Sequence, residues 1–185
     1  MLDQRTRDIH QQFVGLMPRL RRFAAGLCNN SHDADDLLQS TYARALTRLQ
    51  QWQDGTHLDR WLFRIMHTVH INSRQTSHYR QQCVADSEVD MQQGGDTRQE
   101  VETWISLQQT RRMIAGLPEE QKTVLLLVSV EGMSYKEAAD VLELPIGTIT
   151  SRLARARISL AKAMTPASTK AQRNRPLLRK VANGR

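Results

Sequence analysis

Cysteine is almost absent: Cys28 and Cys83 are the only two in 185 residues. They form no Cys-x-x-Cys pair and sit in no cluster of ligand-type residues, so neither a disulfide framework nor a zinc site is implied. Cys28 reads as a small buried apolar residue. Cys83 opens a polar stretch and reads as an exposed thiol with no activating neighbour for redox chemistry. Aromatic residues are only 5% of the chain, so the core must be aliphatic. No apolar run approaches the ~20 residues that a membrane span needs. The N-terminus lacks the charged-then-apolar pattern of a secretory signal, and a soluble, cytoplasmic protein is expected. No nucleophile–base pair or full set of metal ligands stands out, and nothing points to catalysis.

What is abundant is positive charge, 26 lysines and arginines against 19 acids, for a net +7. Its distribution is uneven. Residues 1–82 carry 11 basic and 7 acidic side chains, residues 83–102 carry 1 and 6, residues 103–165 carry 8 and 6, and residues 166–185 carry 6 and none. Two basic blocks therefore flank an acidic connector, and a basic tail follows. Basic blocks suggest a polyanion as partner. For the tail alone, a solvated, disordered end is an equal reading.

The most informative stretch runs from Glu131 to Arg157. Gly132 is a natural helix stop. Ser134 with Glu137 three residues on forms a capping box for the next helix, whose apolar face is Ala138, Ala139 and Leu142. Leu144-Pro145 ends that helix, and Pro145 fits the first position of a second one. On a wheel of roughly 100° per residue, Ile149, Leu153, Ala156 and Leu160 of the second helix face inward. Thr150, Ser151, Ala154 and Arg155 share the opposite side, with Arg152 and Arg157 flanking it. Small residues permit close approach, and the hydroxyls and arginines suit base edges and phosphates. That is the make-up of a recognition helix in a major groove; an ordinary basic surface helix is the competing reading.

Upstream, residues 8–28 show helical periodicity through Ile9, Phe13, Leu16, Met17, Leu20, Phe23, Ala24 and Leu27. Pro18 inside that run predicts a bend or two shorter helices. After a break at Asn29-Asn30-Ser31, a second helix is expected near Asp33, with Asp33, Asp35 and Asp36 in its first turn. Its apolar stripe is Leu37, Leu38, Thr41, Ala45, Leu46 and Leu49. The clustered acids read as capping and a solvated face rather than a metal site. A polar loop at 50–59 precedes a third helix, with Leu58, Trp61, Leu62, Ile65, Met66 and Val69 inward. Arg60, Arg64, His67, His70, Asn72, Arg74, His78 and Arg80 form its outer side and end. His67 and His70 are spaced for a metal but lack a further ligand. Residues 83–100 are acidic, aperiodic and contain Gly94-Gly95, and they read as a flexible linker. Beyond it, Val101, Trp104, Ile105 and Ile114 make one helical stripe. Pro118 with Glu119 and Glu120 starts another helix, and the apolar run 124–130 is its buried centre.

Tyr135-Lys-Glu-Ala-Ala and Leu144-Pro-Ile-Gly-Thr-Ile-Thr-Ser-Arg-Leu-Ala-Arg-Ala-Arg157 resemble the promoter-binding C-terminal domain of extracytoplasmic-function (ECF) sigma factors. Asp33-Ala-Asp-Asp-Leu-Leu-Gln-Ser-Thr-Tyr-Ala-Arg-Ala-Leu, followed by Trp61-Leu-Phe-Arg-Ile-Met, is similar to their N-terminal domain. Both signatures occur in the family's order and spacing. One departure is that the family often has Asn and Asp where this chain has Thr68 and Asn72.

The resemblance implies an all-α protein of two small helical domains joined by a linker. Its parts would be an N-terminal domain at 1–82, a linker at 83–100, a helix-turn-helix domain at 101–165 and a basic tail at 166–185. It implies a bacterial RNA polymerase sigma factor with no cofactor and no reaction of its own. Core polymerase and promoter DNA would be its partners, and commonly an anti-sigma factor. Thr148, Thr150, Ser151, Arg152, Ala154, Arg155 and Arg157 would meet the −35 element. Arg60, Trp61, Arg64, His67, Asn72 and Arg74 would meet the −10 element. Asp35, Asp36, Leu37, Leu38 and Gln39 would dock on core polymerase. A stand-alone helix-turn-helix regulator, or a metal-dependent enzyme using Asp33–Asp36 or His67–His70, are the alternatives.

Overall fold

A computed structural model describes residues 4–28, 30–53, 55–80 and 98–164, and the described residues are helical with short connections. Helix α1 spans Gln4–Leu27 without interruption, with Pro18 inside it. The chain does not split into two shorter helices at Pro18, for a local reason. Pro18 lies on the exposed side, as does Val14, whose carbonyl would have received the missing N–H. Water can serve that carbonyl, and the inward row Ile9, Phe13, Leu20, Phe23, Ala24 and Leu27 stays buried.

Helix α2 spans Ser31–Thr47, starting two residues before Asp33. The Asn30 side-chain oxygen accepts from the Asp33 backbone N–H at 2.7 Å and acts as the N-cap. Asp33 is thus the only acid of the first turn, and Asp36 falls in the second. Ala34, Leu37, Leu38, Thr41 and Ala45 are buried, the Thr41 hydroxyl donating to the Leu37 carbonyl at 2.7 Å. Leu46, expected in this stripe, is instead 47% exposed. A 3-10 turn at Leu49–Gln51 leads to Trp52, a buried anchor within the otherwise polar loop.

Helix α3 spans Leu58–Arg80. Its inward face includes Phe63, which stands edge-on to Phe23 of α1 with ring centroids 5.1 Å apart. His70, expected on the outer side, is buried. His78 and Arg80 lie outside the described side chains.

Helix α4 spans Arg98–Ala115, so helix begins inside the span expected as linker. The rest of that linker, Cys83, the side chains of Val101, Trp104 and Ile105, and the basic tail all lie outside the described residues. Helix α5 spans Glu119–Leu125, with Pro118 as its N-cap rather than its first residue. It continues as a π-helical segment at Leu126–Val130, which Gly132 closes with φ 73°. Helices α6, Tyr135–Leu142, and α7, Ile146–Met164, are the last of the described residues. The apolar run 124–130 is buried only through Leu127, and Val130 is exposed.

The two helical domains share one apolar core, to which α1, α2, α3, α5, the π segment, α6 and α7 all contribute. The backbone of α1 approaches the π segment so closely that a Cβ on Gly26 would lie 2.6 Å from a methyl of Leu126. Glycine there is a packing requirement, because a larger residue would push the Leu126 side chain aside.

Candidate nucleic-acid interface

The helix-turn-helix is built as its sequence suggests. The Ser134 hydroxyl accepts from the Glu137 N–H at 3.3 Å, and the Glu137 carboxylate accepts from the Ser134 N–H at 2.7 Å. That backbone donor, with the Ser134 hydroxyl, holds the Glu137 carboxyl below its ordinary range. Helix α6 ends with Glu143 in the left-handed region at φ 55°, a place usually given to glycine or asparagine. The Pro145 carbonyl receives the N–H groups of Thr148 and Ile149 at 2.8 and 3.3 Å, so Pro145 stands just outside α7.

Along α7, Ile149, Leu153 and Ala156 are buried. Thr150, Ser151, Ala154, Arg155 and Arg157 are exposed, and Thr148 and Leu160 are half-buried. The hydroxyl of Thr150 donates to the Ile146 carbonyl and that of Ser151 to the Thr148 carbonyl, each at 3.0 Å. Their oxygens keep lone pairs that could accept from a base amino group. Arg152 departs from expectation. It is bound to Glu120 of α5 at 2.7 Å, with only 21% of its side chain exposed. It braces α7 on α5 instead of standing free for phosphate. Ile146, overlooked in the sequence, is an apolar side chain 54% exposed at the start of α7.

On α3 the expected basic residues each meet an acid of the C-terminal elements, Arg60 half-buried and Arg64 and Arg74 exposed. Arg60 is bound to the Glu137 carboxylate. Arg64 reaches Glu143 at 3.1 Å and the Asp140 carbonyl. Arg74 is bound to Glu119, which also meets His70 at 2.9 Å and Lys122 at 3.3 Å. Burial tends to raise the Glu119 carboxyl, but the His70 hydrogen bond and the Lys122 and Arg74 charges outweigh it and hold the group low. Burial, reinforced by His70, holds His67 below the usual histidine range. Trp61 is half-buried and Asn72 exposed.

On α2, Asp35, Asp36 and Gln39 are exposed on one face. Leu37 and Leu38 are 5% and 4% exposed. They belong to the core and hold the helix rather than meet a partner, which corrects their expected docking role. Glu131 opens the informative stretch 131–157, and the sequence assigns it no role of its own. Its side chain is fully buried beneath Arg19 and Arg22 of α1, at 3.1 and 2.9 Å. Arg19 also reaches Asp59 at 3.1 Å. No spacing within 131–157 could have revealed a pairing 112 residues distant.

Burial pushes the Cys28 thiol up to about 11, so it is no ready thiolate. Among the described residues no group of three or more His, Cys, Asp or Glu could hold a metal ion. No described helix is long and apolar enough to cross a membrane.

Two family models match the chain: sigma-70 region 4 over residues 107–160, and the Sigma2 domain of PhyR over residues 14–67. The chain is 31% identical over 156 residues to the ECF RNA polymerase sigma factor EcfG of Rhodopseudomonas palustris, covering 84% of each chain. It is 32% identical over 139 residues to the ECF RNA polymerase sigma factor SigC of Mycobacterium tuberculosis, covering 75% of this chain and 74% of the relative. Among solved structures it resembles the sigma factor RpoE in complex with the anti-sigma factor NepR from Bartonella quintana. That likeness has a TM-score of 0.71 at 27% identity, over 85% of this chain and 96% of the other.

Proposed function

The chain belongs to the ECF RNA polymerase sigma factors of the sigma-70 family, and from that premise we propose how its surfaces divide the work of promoter selection. It directs core polymerase to specific promoters, acts where polymerase acts, in the cytoplasm, and has no reaction of its own. Helix α7 enters the major groove of the −35 element. The observation that carries this reading is the outward face of α7, with Thr150, Ser151, Ala154, Arg155 and Arg157 exposed over a buried Ile149–Leu153–Ala156 row. Arg155 suits a guanine edge, Ile146 suits a thymine methyl group, and Arg157 suits phosphate. Helix α3 meets the −10 element through Arg60, Trp61, Arg64, Asn72 and Arg74, where arginines and an aromatic ring suit single-stranded bases and backbone. An anti-sigma factor fits as a further partner, since the solved relative of α-helical architecture above is bound to one.

The exposed acids of α2 are the proposed contact with core polymerase. Asp36→Arg is expected to weaken core binding by about 1 kcal/mol or more, roughly fivefold in Kd. Because Asp36 lies in the second turn of α2, the reversal should barely disturb the helix dipole, and the melting temperature should stay near wild type. Binding titrations of both proteins against core polymerase, each with a melting curve, check this. Equal affinity for core would remove α2 from the docking surface. A stand-alone regulator would not co-purify with core polymerase at all.

A further inference from the structure

Among the side chains expected at the −35 element, Arg152 is the one tied to another helix, its Nη2 lying 2.7 Å from Glu120 Oε2 of α5. The rest of the seat of α7 is aliphatic, with Ile149, Leu153 and Ala156 buried and Leu160 half-buried. Such a row fixes how deep the helix sits. Hydrophobic attraction has no direction, so the row sets the roll of the helix about its own axis less sharply. A charge-assisted hydrogen bond does have direction. On the wheel Arg152 stands roughly 60° from Ile149 and, on its other side, roughly 60° from Arg155. A roll released at Arg152 therefore re-aims Arg155 and the neighbouring Ser151. The other end of the pair is firmly held. Glu120 lies in the first turn of α5, where the helix dipole favours a carboxylate. The Pro118 carbonyl there accepts from the Gln121 and Lys122 N–H groups, each at 2.9 Å, and Leu117, Val124 and Leu125 are buried. Both partners fall within residues 107–160, so the pair belongs to one domain.

We propose that Glu120 and Arg152 are a positioning pair for −35 recognition: neither touches DNA, and together they fix the roll of α7 so that Arg155 and Ser151 meet their base edges. The inference rests on the reading of α7 given above. Only 21% of the Arg152 side chain is exposed, whereas Arg155 and Arg157 are open to solvent. A guanidinium engaged by a carboxylate does not offer the same donors to a phosphate. Glu120 is 70% exposed, so solvent screens the pair and its share of folding stability is small. Base reading is more demanding than folding. A roll of about 10° swings a point on the helix surface, about 5–6 Å from the axis, through ~1 Å. That exceeds the ~0.5 Å within which a recognition side chain must be held. The pair therefore matters little to stability and much to base choice.

The test is a charge swap in the full chain, R152E and E120R together, which leaves the net charge unchanged. Anisotropy measures affinity for a labelled duplex carrying the −35 element of a mapped promoter and for single-base-changed copies. Discrimination is the ratio of the two, and a melting curve accompanies each variant. R152E alone should lose discrimination about tenfold, the scale of one misplaced base contact. Its melting temperature should move little. The swap re-forms the pair in reverse and should bring discrimination back to within about threefold of wild type. If Arg152 meets phosphate instead, R152E weakens every duplex alike, and the swap stays weak because a glutamate repels the backbone. That result overturns the proposal. Unchanged discrimination in R152E overturns it as well. Should R152E fail to melt cooperatively, R152Q and E120Q replace it. Equal losses of discrimination, with no further loss in the double variant, are then expected, and additive losses overturn the pair. A wild-type chain that binds every duplex alike removes the reading of α7 and the inference with it. A discriminating wild type beside an indifferent R152E removes the inference alone.

Discussion

Phe63→Ala is expected to cost about 3–5 kcal/mol of folding stability, the range for emptying a fully buried aromatic site. Phe63 has no exposed surface and stacks edge-on against Phe23, so the truncation removes both area and a directed ring contact. The Arg19 guanidinium lies 5.4 Å from the ring centroid while its nitrogens hold Glu131 and Asp59. The lost ring therefore removes one support of the arginine that joins α1, α3 and the C-terminal domain. Chemical denaturation of wild type and variant, with m-values compared, gives the difference. A loss under about 1 kcal/mol would mean that the site collapses around the gap and that the junction does not depend on this ring.

The second large effect separates reading from folding on one helix. Leu153 is 1% exposed, and Leu153→Ala should destabilise the C-terminal domain by about 2–5 kcal/mol. Arg155 is exposed on the opposite side, and Arg155→Ala should leave the melting curve nearly unchanged. If Arg155 meets a base edge, its loss should cost about 1–3 kcal/mol on the correct −35 duplex and relax preference at one position. If it meets phosphate alone, binding should weaken evenly across sequences, and the salt slope should fall by about one unit. Binding to wild-type and single-base-changed duplexes at several salt concentrations distinguishes these. An unstable Arg155→Ala beside a stable Leu153→Ala that is blind to DNA would turn the recognition face around.

The features legible in the sequence were those set by neighbours along the chain. The capping box at Ser134 and Glu137, the glycine stop at 132 and the inward row Ile149, Leu153 and Ala156 depend on spacings of three to seven residues, and each appears in the fold. What escaped depends on partners far away in sequence. His70 looked like an outward polar residue, but Glu119 of the other domain supplies the hydrogen bond that permits its burial. Arg60, Arg64 and Arg74 looked open because the acids that meet them come from α5, α6 and the α6 cap. At Pro18, of the two expected outcomes, the split into two shorter helices does not occur. A proline on the wet side of a helix loses one hydrogen bond that water can replace, and the buried face carries the helix through. Leu37 and Leu38 show the cost of taking a contiguous motif as a contact surface, since a helix turns successive residues to different sides.

The central claim, that this chain selects promoters as a subunit of polymerase, is tested most directly by run-off transcription from a promoter mapped after overexpression. Purified chain, core polymerase and linear template are combined, with either protein omitted in turn. The expected result is one discrete transcript, dependent on both proteins and lost when either the −35 or the −10 element is scrambled. A chain that binds its duplex tightly and specifically, yet yields no transcript with core, would contradict the assignment and favour a regulator acting without polymerase.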